Sequence, residues 1–135
     1  MKILAKIIEA DDPELIEIAG IEYERDKSYN IIMEYGLGDL ASYNAFRQKH
    51  FSWTEKEIHS IRENLLKQIE KLRKLNIYHL DIKPGNIIIT EDWKIKLIDF
   101  GCSETYDDIN DRREIIPRGT PGYMHPVIEQ AFKES

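Results

Sequence analysis

The sequence contains one cysteine, Cys102, so no disulfide can close within it, and a reducing intracellular compartment, the cytoplasm by default, is the expectation. It has no surplus of positive charge. Nineteen Lys and Arg face 25 Asp and Glu, for a net charge of -6, whereas nonspecific nucleic-acid binding needs a basic face. No apolar run approaches the roughly 20 residues of a spanning helix, so neither a nucleic acid nor a membrane is an expected partner. Internal repeats, low-complexity tracts and linkers are missing as well. Met1 to Ile8 holds Lys2 and Lys6 within a short apolar stretch, with acidic residues after it and no small-residue cleavage pattern. It reads as the end of a helix, not as a signal peptide.

What is present is a globular composition, 41% apolar and 33% charged over 135 residues, enough for one domain or part of one. Ile3, Leu4, Ile7 and Ile8 have helical spacing, and Asp11-Asp12-Pro13 ends it, because the residue before proline is pushed out of the helical region. Leu15 to Glu24 and Tyr29 to Glu34 read as two strands around a turn at Arg25-Asp26-Lys27-Ser28. Gly36-Leu37-Gly38 reads as a flexible hinge turn. Asp39 to His50 is expected to be a short helix with Leu40, Tyr43 and Phe46 on one face.

Thr54-Glu55-Lys56-Glu57 is a capping-box pattern, so a helix should begin there. Ile58, Ile61, Leu65, Ile69 and Leu72 then form one apolar stripe, which runs out near Leu75-Asn76. A hairpin is expected from Asn86–Thr90 and Lys94–Ile98 around Glu91-Asp92-Trp93. Lys94 and Lys96 would lie on its wet side, and Ile95 and Leu97 on its buried side. Cys102 to Arg118 is polar, aperiodic and reads as a mobile loop.

The chemistry concentrates in Tyr78-His79-Leu80-Asp81-Ile82-Lys83-Pro84-Gly85-Asn86 and in Leu97-Ile98-Asp99-Phe100-Gly101. Acidic and amide side chains at the ends of adjacent strands can converge on one divalent cation. A lysine beside a carboxylate can neutralise a phosphate while the carboxylate orients a hydroxyl. Phosphoryl transfer needs that combination, since positioning and charge stabilisation supply most of its catalysis.

At these residues the chain resembles the eukaryotic protein kinases of Ser/Thr type. His79 to Asn86 is similar to their H-R-D-x-x-x-x-N loop, Asp99-Phe100-Gly101 to their D-F-G, and Gly119-Thr120-Pro121-Gly122-Tyr123-Met124-His125-Pro126 to the end of their activation segment. The resemblance implies an α+β, protein kinase-like fold of which the chain holds the middle. Residues 1–35 would be a small-lobe remnant and hinge, and 36–135 a large-lobe segment. It implies ATP and Mg2+ as cofactors and proteins bearing Ser or Thr as substrates. Asp81 would be the base, Lys83 the phosphate contact, and Thr120 their hydrogen-bonding partner. Asn86 and Asp99 would be the metal ligands. Met33, Glu34, Tyr35, Gly36 and Ile88 would meet the nucleotide, with Met33 as gatekeeper and Glu34-Tyr35-Gly36 as hinge.

Plainer alternatives stand beside each role: a loop carboxylate for Asp81, a solvated lysine for Lys83, a turn residue for Asn86 or Thr120, a core methionine for Met33. His79 reads as a packing and hydrogen-bonding residue, and Cys102 as a buried, inert thiol.

The sequence also departs from the resemblance. Leu80 stands in place of the arginine that pairs with a phosphorylated activation loop, Val127 in place of the glutamate of A-P-E, and His125 in place of its alanine. The glycine-rich roof, the strand lysine and the helix glutamate that organise ATP would precede Met1. Little or no transfer by this polypeptide alone is therefore the expectation, and a catalytically inactive, pseudokinase-like binding module is the alternative. A small-molecule phosphotransferase, which shares an H-x-D-x-x-x-x-N loop and a later Ile-Asp-Phe, ranks below both, because Lys83-Pro84 and the Gly119 to Pro126 block point to protein substrates.

Overall fold

A computed structural model describes residues 2–105. The stretch from Tyr106 onward, with Thr120, Arg112, Arg113, Arg118, His125 and Val127, lies outside the described residues. Helix α1 (Lys2–Ala10) turns Leu4 and Ile7 inward and ends at Asp11, which has φ 45°. The Asp12 carboxylate accepts from Glu14 N at 3.0 Å and from Lys71 Nζ at 2.8 Å, tying this corner to the long helix. That lysine, through its hydrogen bond, holds the Asp12 carboxyl below the usual carboxylate range. Leu15 and Ile16 are buried before any strand begins, so the apolar start of the expected strand serves the core directly.

Strands β1 (Ile18–Tyr23) and β2 (Tyr29–Met33) pair antiparallel. Strand β3 (Gly36–Asp39) follows, and this corrects the reading of Gly36-Leu37-Gly38 as a hinge turn. The segment pairs with the strand Ile87–Thr90, with Gly36 opposite Thr90 and Asp39 opposite Ile88. Gly36 suits a close approach, since a Cβ there would lie 3.2 Å from Ile88 Cδ1 and 3.3 Å from Ile88 Cβ, tight enough that the isoleucine would have to shift.

Asp39 caps helix α2 (Leu40–Gln48) by accepting from Ser42 N at 2.8 Å. Leu40 and Tyr43 pack toward the core, but Phe46 is 61% exposed and does not complete the expected face. Helix α3 (Glu55–Lys74) opens with the expected capping box between Thr54 and Glu57. Glu57 also takes a two-pronged contact from Arg47, at 2.7 Å for Nη2–Oε1, and this pulls its carboxyl down to about 2. Leu75 closes α3 and Asn76 follows at φ 60°, a left-handed position that Asn tolerates.

Two-residue strand β4 (Ile77–Tyr78) pairs with β7 (Glu104–Thr105), and β5 (Ile87–Thr90) forms a hairpin with β6 (Ile95–Leu97). The core gathers Ile7, Leu15, Ile16, Leu72, Ile77, Leu97 and the three isoleucines of β5. These helices and small antiparallel sheets make the described chain α+β. Lys96 corrects the wet-and-dry reading of β6. It is 8% exposed, and its charge is met by Glu34 at 2.5 Å. Among the described residues, no helix is long and apolar enough to cross a membrane.

Candidate active site

Pro84–Asn86 form a short 3-10 turn, started by a proline whose fixed φ suits it, and this turn delivers Asn86 to the head of β5. Asn86 is 6% exposed. Its Nδ2 donates to the backbone oxygen of Asp81 and to Asp81 Oδ2, at 3.0 Å each. Its own backbone oxygen accepts from Ile98 N at 2.9 Å, so Asn86 stands beside the residue that precedes Asp99. Asp81, Asn86 and Asp99 are thereby brought to one end of the β5–β6 pair. Lys83 is half-buried at the start of the turn, where its carbonyl accepts from Asn86 N at 2.9 Å.

His79 fastens the two sides together. Asp81 N donates to its Nδ1 at 3.2 Å, so the ring proton sits on Nε2, which donates to Ile98 O at 2.7 Å. The ring is 4% exposed and packs edge-on to Phe100 at 5.0 Å. Burial lowers its pKa from the ordinary value, which favours the neutral form these bonds require. The packing reading of His79 holds.

Two non-glycine residues here have left-handed backbones, Leu80 at φ 67° and Asp99 at φ 60°. Aspartate enters this region readily, whereas leucine does so at a cost of about 1–2 kcal/mol. Neither was legible in the sequence. Cys102 is half-exposed, not buried, and its Sγ lies 4.0 Å from Asp81 Oδ2. Ser103, missed from the sequence, is buried and donates Oγ–H to His79 O at 2.9 Å.

The donor set fits a hard cation such as Mg2+, which takes oxygen ligands and is held by one or two carboxylates together with substrate phosphates. With Nδ2 of Asn86 spent on Asp81, Oδ1 is the atom left for a cation. Asp99 is exposed, and its Oδ1 accepts from Gly101 N at 3.1 Å, which leaves Oδ2. Both free donors are oxygens. Among the described residues, no cluster of three or more His, Cys, Asp or Glu forms a cage of its own.

The hinge candidates lie along one path. Met33 ends β2 and lines an open cleft of about 180 Å³ with Ile3, Ile18, Ile98, Asp99 and Phe100. Tyr35 is exposed, and Gly36 rests on buried Ile88. Glu34 turns its side chain elsewhere: Oε1 accepts from Glu17 N at 2.9 Å and from Lys96 Nζ at 2.5 Å. Gln68 was missed too, although its place on the apolar stripe between Leu65 and Leu72 is a signal that it meets buried polar groups.

The protein kinase domain profile matches residues 1–132. The chain belongs to the protein kinase domain family. It is 30% identical over 121 residues to the serine/threonine-protein kinase 17A of Oryctolagus cuniculus, covering 87% of this chain and 30% of that relative. It is 34% identical over 107 residues to the serine/threonine-protein kinase RUNKEL of Arabidopsis thaliana, covering 78% of this chain and 8% of that relative. The chain thus spans less than a third of the length of these two kinases.

Proposed function

We propose that this kinase-family chain carries the phosphoryl-transfer centre of a serine/threonine protein kinase. The reaction moves the γ-phosphoryl of ATP to a protein hydroxyl: the hydroxyl oxygen bonds to phosphorus, the bond to ADP breaks, and the hydroxyl proton leaves to the Asp81 carboxylate. Asp81 orients the hydroxyl, and Lys83 supplies positive charge near the transferred group. Asn86 Oδ1 and an Asp99 carboxylate oxygen would hold Mg2+, which would neutralise phosphate charge. Met33, Glu34, Tyr35, Gly36 and Ile88 form the nucleotide side, and Thr120 is assigned to the Asp81–Lys83 pair by its motif alone.

The observation that supports this reading is the shared hydrogen-bond set of Asp81, Asn86 and Ile98, which holds the Asp81 carboxylate, the Asn86 amide and the residue before Asp99 at one strand end. The test is transfer of labelled phosphate from Mg·ATP to a Ser/Thr protein substrate. In a chain that transfers phosphate, Asp81→Asn should lower turnover by at least about a hundredfold, as loss of a positioned base does. Unchanged turnover removes Asp81 from the role.

Leu80 favours a second reading, a binding module that holds nucleotide without transferring it. It occupies the place of a phosphate-pairing arginine and is exposed at a strained backbone position. Mg2+-dependent ATP binding with no phosphate transfer would select this reading over the first.

A further inference from the structure

Among the described residues, β6 has β5 on one side and no strand on the other. In an antiparallel pair, alternate residues turn their backbone groups toward the partner. Lys94 O accepts from Thr90 N at 2.8 Å and Ile98 N donates to Asn86 O at 2.9 Å, so these positions face β5. Ile95 and Leu97 have the opposite parity and turn their backbone groups away, toward α3. Both residues are buried, and a buried backbone group without a partner is destabilising.

Gln68 meets both. Its Nε2 donates to Ile95 O at 2.8 Å, and Leu97 N donates to its Oε1 at 2.8 Å. Nε2 also donates to Asn64 Oδ1 at 2.7 Å, one helical turn back, which fixes which end of the carboxamide faces which group. A carboxamide offers the same donor and acceptor as a peptide unit, so Gln68, 1% exposed, acts as one link of a fourth strand supplied by a helix. Leu97 is two residues before Asp99, and Ile98 between them is bound to Asn86 and His79.

We propose that Gln68 is a positioning residue for Asp99, fixing the height and direction in which β6 presents that carboxylate. The proposal rests on the reading of Asp99 as a cation ligand. It requires that loosening Gln68 loosen the segment from Leu97 to Gly101 and raise the Mg2+ requirement of nucleotide binding, while the rest of the core stays as it was.

The experiment compares the full chain with Gln68→Met, which keeps length and apolar fit, and with Asn64→Ala at a part-exposed position. Amide hydrogen exchange at Leu97 to Gly101 is read against Ile77, together with the Mg2+ concentration for half-maximal binding of a fluorescent ATP analogue. Exchange at Leu97 to Gly101 should quicken about tenfold in Gln68→Met, and less in Asn64→Ala, with Ile77 unchanged. The Mg2+ requirement should rise several-fold, with metal-free nucleotide binding unaltered. Equal acceleration at Leu97 and Ile77, no acceleration, or faster exchange with an unchanged Mg2+ requirement overturns the proposal. If Gln68→Met does not fold, unchanged exchange at Leu97 in Asn64→Ala overturns it. If the parent chain shows no Mg2+-dependent nucleotide binding, the proposed function fails, and the exchange rates still decide whether Gln68 orders the Asp99 segment.

Discussion

Asn86 spends its side-chain amide on Asp81 twice, at 3.0 Å to the backbone oxygen and 3.0 Å to the carboxylate. The residue assigned to metal binding therefore also fixes the residue assigned to proton transfer. Asn86→Asp keeps an oxygen donor but sets two carboxylates against each other at a buried position. It should destabilise the fold by about 1–3 kcal/mol at neutral pH, with part of the loss recovered in acid. Urea unfolding at two pH values measures both effects.

Glu34 and Lys96 form a mostly buried pair, with side chains 20% and 10% exposed. Removing one charge strands the other. Lys96→Met or Glu34→Gln alone should each cost about 2 kcal/mol, below the 3–5 of a fully buried pair because water reaches Glu34. The double variant should cost less than the two single costs added together. A double-mutant cycle by thermal unfolding gives the coupling.

Gly36→Ala should cost about 1–3 kcal/mol through the contact with Ile88. Adding Ile88→Val removes the Cδ1 that the new methyl meets and should restore part of that loss. No recovery would mean that Ile88 Cβ, at 3.3 Å, sets the limit.

His79 and Glu57 both contribute to the acid side of the stability curve, in different pH windows. His79 has a lowered folded pKa, so the unfolded chain binds the proton first, and stability falls as pH drops below about 6.5. Glu57 also has a depressed folded pKa, but as a carboxylate it contributes stability above about 4.5, which is lost as pH falls toward about 2. Melting curves from pH 8 to 3 should show the first decline in the parent chain. In His79→Gln that component should be absent.

The helices were legible because their signals are local: the capping box at Thr54, Asp11-Asp12-Pro13 after α1, the inward stripe of α3. The motif residues were legible because their order along the chain matches their placement at one end of β5 and β6. Where sequence reasoning failed, the deciding partner lay far along the chain. Lys96 alternates like a surface lysine, but Glu34, distant in sequence, takes it inside. Gly36 and Gly38 carry a turn's composition, yet the edge of β5 draws them into a sheet. Local pattern reports the period of a face, not what will cover it. The role assigned to Thr120 and the departure at Val127 fall outside the described residues.

The pairing of β3 with β5 bears on the order in which the chain assembles. The β5–β6 hairpin closes a turn of a few residues, whereas Gly36 and Thr90 meet across both α2 and α3. Bringing such distant ends together loses entropy before any contact returns it, and that loss is smaller once α2 and α3 have shortened the path. The hairpin and α3 should therefore gain protection early in refolding, with Gly36 to Asp39 docking afterwards as the latch on a box already built.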